Sequence, residues 1–401
     1  MARRIEDYAL IGDTQTAALV GRDGSIDWLC LPRFDSGACF AALLGDPGHG
    51  RWSLRPVGAV SVTRRYRPGT LVLETDWVAH GGRVRVIDCM PPRGRDPDVV
   101  RVVEGLAGTV RVRMELVVRF DYGAVVPWVR RTDEGMSAVA GPDALCLRTP
   151  VDTAGEAFTT VAEFTVAAGE RVPFVLTWHP SNEAAPAPVD ADEAVDDTDR
   201  WWRSWSDRCR RGGAWDEPVG RSLITLKALT YAPTGGIVAS PTTSLPERLG
   251  GSRNWDYRYC WVRDATFTLD ALMRAGYVEE AEAWRDWLLR SLAGRPEQMQ
   301  IMYGVAGERR LTEFELDWLP GYEGARPVRI GNAAAGQFQL DVYGEVMDSL
   351  HLARTVGIHP DDESWNLQRV LMDFLESNWK SPDEGIWEVR GPRRQFTHSK
   401  V

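Results

Sequence analysis

Long apolar runs are missing from this 401-residue chain: none could span a bilayer, and none of signal-peptide length follows the Met1-Ala-Arg-Arg start. The sequence alone therefore predicts a cytoplasmic protein with no membrane partner. Positive charge is also in short supply. Lys and Arg number 47 against 57 Asp and Glu, for a formal net charge of −10 and a pI near 5.3. That balance argues against a surface built to bind the phosphates of nucleic acid. Cysteine and histidine are sparse, with six of each. Cys30, Cys39, Cys89, Cys146, Cys209 and Cys260 show no C-x-x-C spacing, which predicts reduced, mostly buried thiols rather than disulfides or zinc. The histidines form no H-E-x-x-H pair, so neither a metal nor another cofactor is expected.

What is present is the composition of a globular protein, 44% hydrophobic and 26% charged, on a chain too long for one core. The first part reads as strands. Val60–Thr63, Leu71–Trp77, Arg83–Ile87, Val110–Leu116 and Val172–Trp178 are β-branched or alternate apolar with polar residues, which predicts a β-sandwich over 1–190. An Ala-, Pro- and acid-rich connector from Ser181 leads to a helix carrying Trp201, Trp202 and Trp205, a linker unit over 191–215. Beyond it the period becomes helical, over Pro218–Tyr231, Asp264–Ala275, Val278–Leu292, Gln337–Val356 and Ser364–Trp379, with strand patterns almost gone. Helices joined by short and long loops predict an α-helical toroid over 216–401, its long loops building a pocket at one end. The expected class is thus α+β and multidomain, with an incomplete toroid. Phe396–Val401 reads as the start of a further helix that the chain leaves unfinished.

Tryptophan is concentrated in the helical part, where 12 of the 17 lie after position 200. Trp284, Trp287, Trp365 and Trp379, at helical spacing, are expected to be packing residues. Trp255, Trp261, Trp318 and Trp387 fall in or beside loops rich in Gly, Arg and acids, where a flat ring can stack on a sugar while charged neighbours take its hydroxyls. The densest such stretch is Gly250–Ala265, with Arg263 and Asp264 at a loop-to-helix junction. The plainer role for Asp264 is a helix cap, with Arg263 bridging to a carboxylate. In Asp383-Glu-Gly-Ile-Trp-Glu-Val-Arg, Glu388 stands beside Trp387, and an indole against a carboxyl is a means of raising its pKa toward that of a general acid. Glu384, in an Asp-Glu-Gly setting, reads as a solvated turn residue.

The run Arg253-Asn-Trp-Asp-Tyr-Arg-Tyr-Cys-Trp-Val-Arg-Asp264 resembles the signature of bacterial family 15 glycoside hydrolases. Ile5–Asp13, Asp23–Ser36, Arg326–Ala334 and Gly385–Gly391 agree in order, so the resemblance covers essentially the whole chain. It implies a β-sandwich followed by an (α/α)6 barrel. It also implies inverting hydrolysis of an α-glucoside, with Glu388 as general acid, Arg263 and Asp264 holding the hydroxyls of the cleaved glucose, and Arg329 framing the pocket. Trp261, Trp318 and Trp387 complete the expected sugar-binding set. Members carry the base glutamate later in the barrel, and no segment here matches it. Roughly half of the barrel's helices are present, so this stretch by itself is expected to be inactive and to expose apolar faces.

The trehalase-like branch is the nearest in composition, which makes trehalose the expected substrate, with maltose-type and isomaltose-type glucosides as alternatives. Outside that class stand a sugar-binding protein without hydrolysis, and an isomerase or epimerase of the same toroid. The latter is disfavoured because only His351, His359 and His398 fall in the helical part. Nothing in the sequence bears on the oligomeric state.

Overall fold

The computed structural model describes residues 3–210, 212–358 and 361–400. His359 lies outside them. The first 180 residues form strands paired antiparallel throughout the described residues. One sheet contains Tyr8–Gly12, Ala17–Gly21, Ser25–Cys30, Arg51–Pro56 and Thr159–Ala167, and the other contains Ala59–Tyr66, Leu73–Ala79, Gly82–Cys89, Arg171–Pro180 and the hairpins of 128–148. The 20-residue strand Asp98–Val117 belongs to both. Its first half pairs with Gly82–Cys89 and Arg171–Pro180, its second with Arg51–Pro56 and Thr159–Ala167. The changeover falls at Gly108, whose φ of +66° suits glycine and where a Cβ would stand 2.0 Å from Gly81 O.

The two sheets share one core, to which Ile11, Val20, Trp52, Val86, Val112 and Leu147 contribute. Arg101 crosses it fully buried, donating to Asp88 at 2.7 Å and to the Trp52 and Gly24 carbonyls at 2.8 Å, so the buried charge is fully partnered. Ser25–Cys30 escapes the alternation rule because both its faces are covered: all six of its residues are buried.

Six α-helices follow among the described residues: α1 Ala191–Ser206, α2 Asp216–Ala228, α3 Val262–Ala275, α4 Glu279–Leu292, α5 Asp341–Thr355 and α6 Asp362–Asn378. The acidic stretch expected to be a solvated connector is helical from Ala191, because Asp190 caps α1 by accepting from the Asp192 and Glu193 amides at 3.0 Å. The acids then sit where the N-terminal helix dipole favours them. The start of α1 buries Ala191, Ala194 and Val195 against the strands. Its end buries Trp202 and Trp205 against Leu223, Leu272 and Tyr277 of the helical part. Trp205 stacks on Tyr277 at 4.0 Å and donates to Glu280 at 2.7 Å.

Predicted helices and observed ones agree to within a few residues. Thr230–Tyr231 leaves the helix to pair with Gly236–Ile237, one of three two-residue ladders the sequence did not announce. Trp284 and Trp287 are core residues as expected, whereas Trp365 on α6 and Trp379 at its C-cap are half exposed, beside exposed Val370 and Met372. The expected helix at Phe396 is, in its described part, one 3-10 turn over His398–Lys400. All six cysteines are free thiols, five of them buried. No helix among the described residues is long and apolar enough to cross a membrane.

Candidate active site

The segment leading into α3 is held as a strand. Cys260 and Trp261 pair with Tyr303 and Met302, and Val262 N donates to Ile301 O at 3.1 Å. The helix then starts at Val262, with Trp261 as its N-cap residue and no side-chain cap bond, so Asp264 lies inside the first turn and does not cap. Arg263 turns back, donating to Ile386 O at 2.8 Å and to Asp264 at 3.0 Å, with its Nη2 3.7 Å from Glu388 Oε1.

The loop carrying Glu388 is pinned at its base. Asp383 and Arg394 exchange backbone bonds of 2.9 and 2.8 Å, Asp383 accepts from Leu340 N at 3.0 Å, and Glu384 accepts from Phe338 N at 2.8 Å while pairing with Arg393. Glu384 is therefore a brace tying the loop to the entry of α5, not a solvated turn residue. Glu388 itself has φ of +54°, an uncommon backbone state for a residue with a side chain, of the kind that collects at functional sites.

Trp387, expected to be the indole against Glu388, is 79% exposed. The indole that meets the carboxyl is Trp261, from 127 residues away in sequence, whose Nε1–H donates to Glu388 Oε1 at 2.7 Å. Burial pushes the Glu388 carboxyl above its ordinary range, against the Trp261 hydrogen bond and the Arg263 charge, with Asp264 adding to the rise. Nearby on α5, burial raises Asp341 and Glu345, one turn apart. Neither carboxyl oxygen of Asp341 has a hydrogen-bond partner among the described residues.

Arg329 and Arg390 each stand 4.5 Å from the centroid of the Trp255 ring. Arg329 also reaches Glu315 at 3.1 Å, and Arg390 reaches Glu313 and Asn332 at 3.0 and 3.1 Å. Arg329 thus belongs to a layer joined to the Glu388 loop through Arg390. Trp318 is not drawn into that layer: its indole donates to Tyr122 O of the sheet part at 3.1 Å. Asp256 and Arg258 went unrecognised as a sequence feature. They form a buried pair at 2.7 Å, and Arg258 continues to Ser36 O at 2.8 Å while Asp256 accepts from Gly331 N at 3.1 Å. Their one signal was two opposite charges in a stretch otherwise aromatic.

The family described as glycosyl hydrolases family 15 matches residues 216–401, and the trehalase-like N-terminal family matches residues 1–202. Trehalase 1 of Sulfolobus acidocaldarius is 33% identical across 99% of this chain and 69% of its own length. The chain belongs to glycoside hydrolase family 15. Further relatives are the trehalases of Mycolicibacterium smegmatis and Mycobacterium tuberculosis, each 38% identical over 99% of this chain. The chain spans 64% and 63% of their lengths, a little under two thirds. Among solved structures, a bacterial glucoamylase complexed with acarbose superposes with a TM-score of 0.58 at 11% identity, over 94% of this chain and 67% of that one. That likeness bears on the fold alone: a mostly sheet part followed by a helical part.

Proposed function

We propose that this chain carries the acid side of a glycosidase site that hydrolyses an α-glucosidic bond with inversion, and that the substrate is trehalose. The observation that carries the reading is Glu388: a largely buried carboxyl whose pKa is raised, held by one indole N–H and flanked by Arg263 and Asp264. A carboxyl that keeps its proton can deliver it to the glycosidic oxygen as the C–O bond breaks. Arg263 and Asp264 hold the hydroxyls of the glucose being cleaved. Asp264 suits this because it is the more exposed of the two carboxylates, 43% against 18% for Glu388. Inversion requires a second carboxylate across the sugar, roughly 6.5–9.5 Å away, to activate water. No residue of this chain is assigned that role.

Trehalose is taken from the names of the relatives, which align along almost the whole of this chain. The N-terminal unit 1–190, the linker 191–215 and the unit 216–401 are read as a sandwich, a connecting helix and one part of an (α/α)6 toroid. Trp261 holds the acid rather than stacking on sugar, which leaves exposed Trp387 to meet the leaving group. Arg329 acts through Trp255 and Arg390. Trp318 remains an outlying candidate.

Proton NMR of the anomeric region during incubation with trehalose, maltose or isomaltose tests the reaction. Inverting cleavage of trehalose yields β-glucose from the attacked ring and α-glucose from the departing one. α-Glucose alone would rule out inversion. Calorimetric binding of glucose tests the site without turnover: D264N is expected to abolish it, and unchanged binding would refute the assignment. In a protein that also supplies the second carboxylate, binding without hydrolysis of any sugar would favour the sugar-binding reading.

A further inference from the structure

Far from the Glu388 loop in the chain, the sheet part holds a groove of about 440 Å³ between the end of the Asp98–Val117 strand and two hairpins. Its floor is apolar, with Leu116, Val118 and Met136 buried beneath it. Its rim carries Trp128 and Phe158, 76% and 82% exposed. Phe158 is displayed at a cost: it and Ala157 form the two-residue turn between Ala154–Glu156 and Thr159–Ala167, with φ of +62° and +45°, where Asn-Gly would be the ordinary choice. Trp128 begins an edge strand, Trp128–Thr132, that pairs on one side only among the described strands.

Charge is distributed unusually here. The chain has 57 acidic residues, yet none lines this groove, while Arg119 and Arg130 both do. Arg119 is half buried and its guanidinium donates to the Val118 and Phe158 carbonyls, Arg130 is exposed at the rim, and neither has a carboxylate partner among the described residues. Burial alone acts on Arg119, lowering its pKa without an acid to offset it. A guanidinium facing an apolar concavity with no counter-ion is a place prepared for an anion.

We infer that this groove is a binding site for a small amphiphilic anion, a flat apolar body between Trp128 and Phe158 with a carboxylate or similar group on Arg119 and Arg130. The volume lies in the range of small-molecule pockets, roughly 300–1,000 Å³, and the lining, mainly apolar with few polar groups, has the character of one. The site is independent of the glycosidase reading.

Titration of the 401-residue chain with phenylbutyrate, by calorimetry, tests it, with uncharged phenylbutyramide as the control. One saturable site is expected, weakened about tenfold for the amide and in R119Q, which each lose a charge-assisted bond, and largely restored in R119K. W128T and F158T alter exposed rings and should leave the fold intact by circular dichroism while weakening binding. Equal affinity for acid and amide would overturn the anion assignment. Absence of saturable binding, or binding indifferent to W128T and F158T, would overturn the site. Sedimentation showing a dimer that W128T or F158T dissociates would give the groove to a second copy instead, and would also overturn the proposal.

Discussion

Glu388 is placed where a carboxyl is poorly solvated, and this has a consequence for stability that can be read without any substrate. Its folded-state pKa lies above the ordinary value, with burial the largest cause. The folded chain therefore holds the proton more tightly than the unfolded one, and stability is lost as pH rises from the ordinary glutamate range through the raised value. E388Q removes that loss. Its melting temperature is expected to exceed that of the parent near neutral pH and to converge with it in acid; a lower melting temperature at neutral pH would contradict the burial argument. In a protein with turnover the same change should cost about 10²–10⁴-fold in rate while leaving sugar binding in place. W261F acts in the opposite direction on the proton. The indole N–H holds the Glu388 pKa down, so its loss should raise the pKa further, seen by NMR of isotope-labelled glutamate carboxyls. A downward move would show that the indole N–H does not stabilise the ionised carboxylate.

Among the elements, the loop 383–394 depends on one glycine. Gly385 has φ of +70°, and a Cβ there would lie 2.7 Å from the Phe396 ring. G385A must displace that ring or the turn, and Glu388, whose amide bonds to Gly385 O at 3.0 Å, moves with it. The expected result is a loss of about 1–3 kcal/mol in urea unfolding; unchanged stability would mean that the loop is softer than its bonds imply. The helices of this part were legible because a 3.6-residue period survives partial burial, as in α4, where Ala281, Trp284, Leu288 and Leu292 fall on one face. The early strands were not, since Ser25–Cys30 is buried on both faces and has no alternation to read. At the site, Arg263, Asp264 and Glu388 were legible as residues, but the contact of Glu388 with Trp261 was not. Adjacent Trp387 offered the nearer indole, and only the fold brings the distant one in. The role of Glu384 was misread for the same reason: its partners, Phe338 and Arg393, come from elsewhere in the chain.

At the scale of the molecule, the sheet and helical parts are joined by far more than the connector at 181–190. Arg258, 1% exposed, reaches Ser36 O and Asp256 from the helical side, and its guanidinium lies 5.2 Å from the Tyr122 ring. Trp28 donates to Pro241 O at 2.8 Å, and Arg33 pairs with Glu308 at 2.7 Å. R258M would leave Asp256 buried without its cation, an expected cost of about 3–5 kcal/mol in chemical denaturation. R258K is expected to recover little of it, because an ammonium cannot reproduce the forked contacts to Asp256 at 2.9 and 2.7 Å. A near-complete recovery would show that charge, not geometry, is what the pair supplies.

The Arg258 bridge also constrains how such a chain can be recombined. A chimera that takes its sheets from one relative and its helices from another, spliced in the exposed connector, would divide Tyr122 from Arg258 and Arg33 from Glu308 while leaving every local element whole. The natural unit of exchange is therefore not a contiguous half but the helical part together with the sheet-part side chains that meet it, Trp28, Arg33 and Tyr122, a patch of inheritance scattered over more than two hundred residues of sequence.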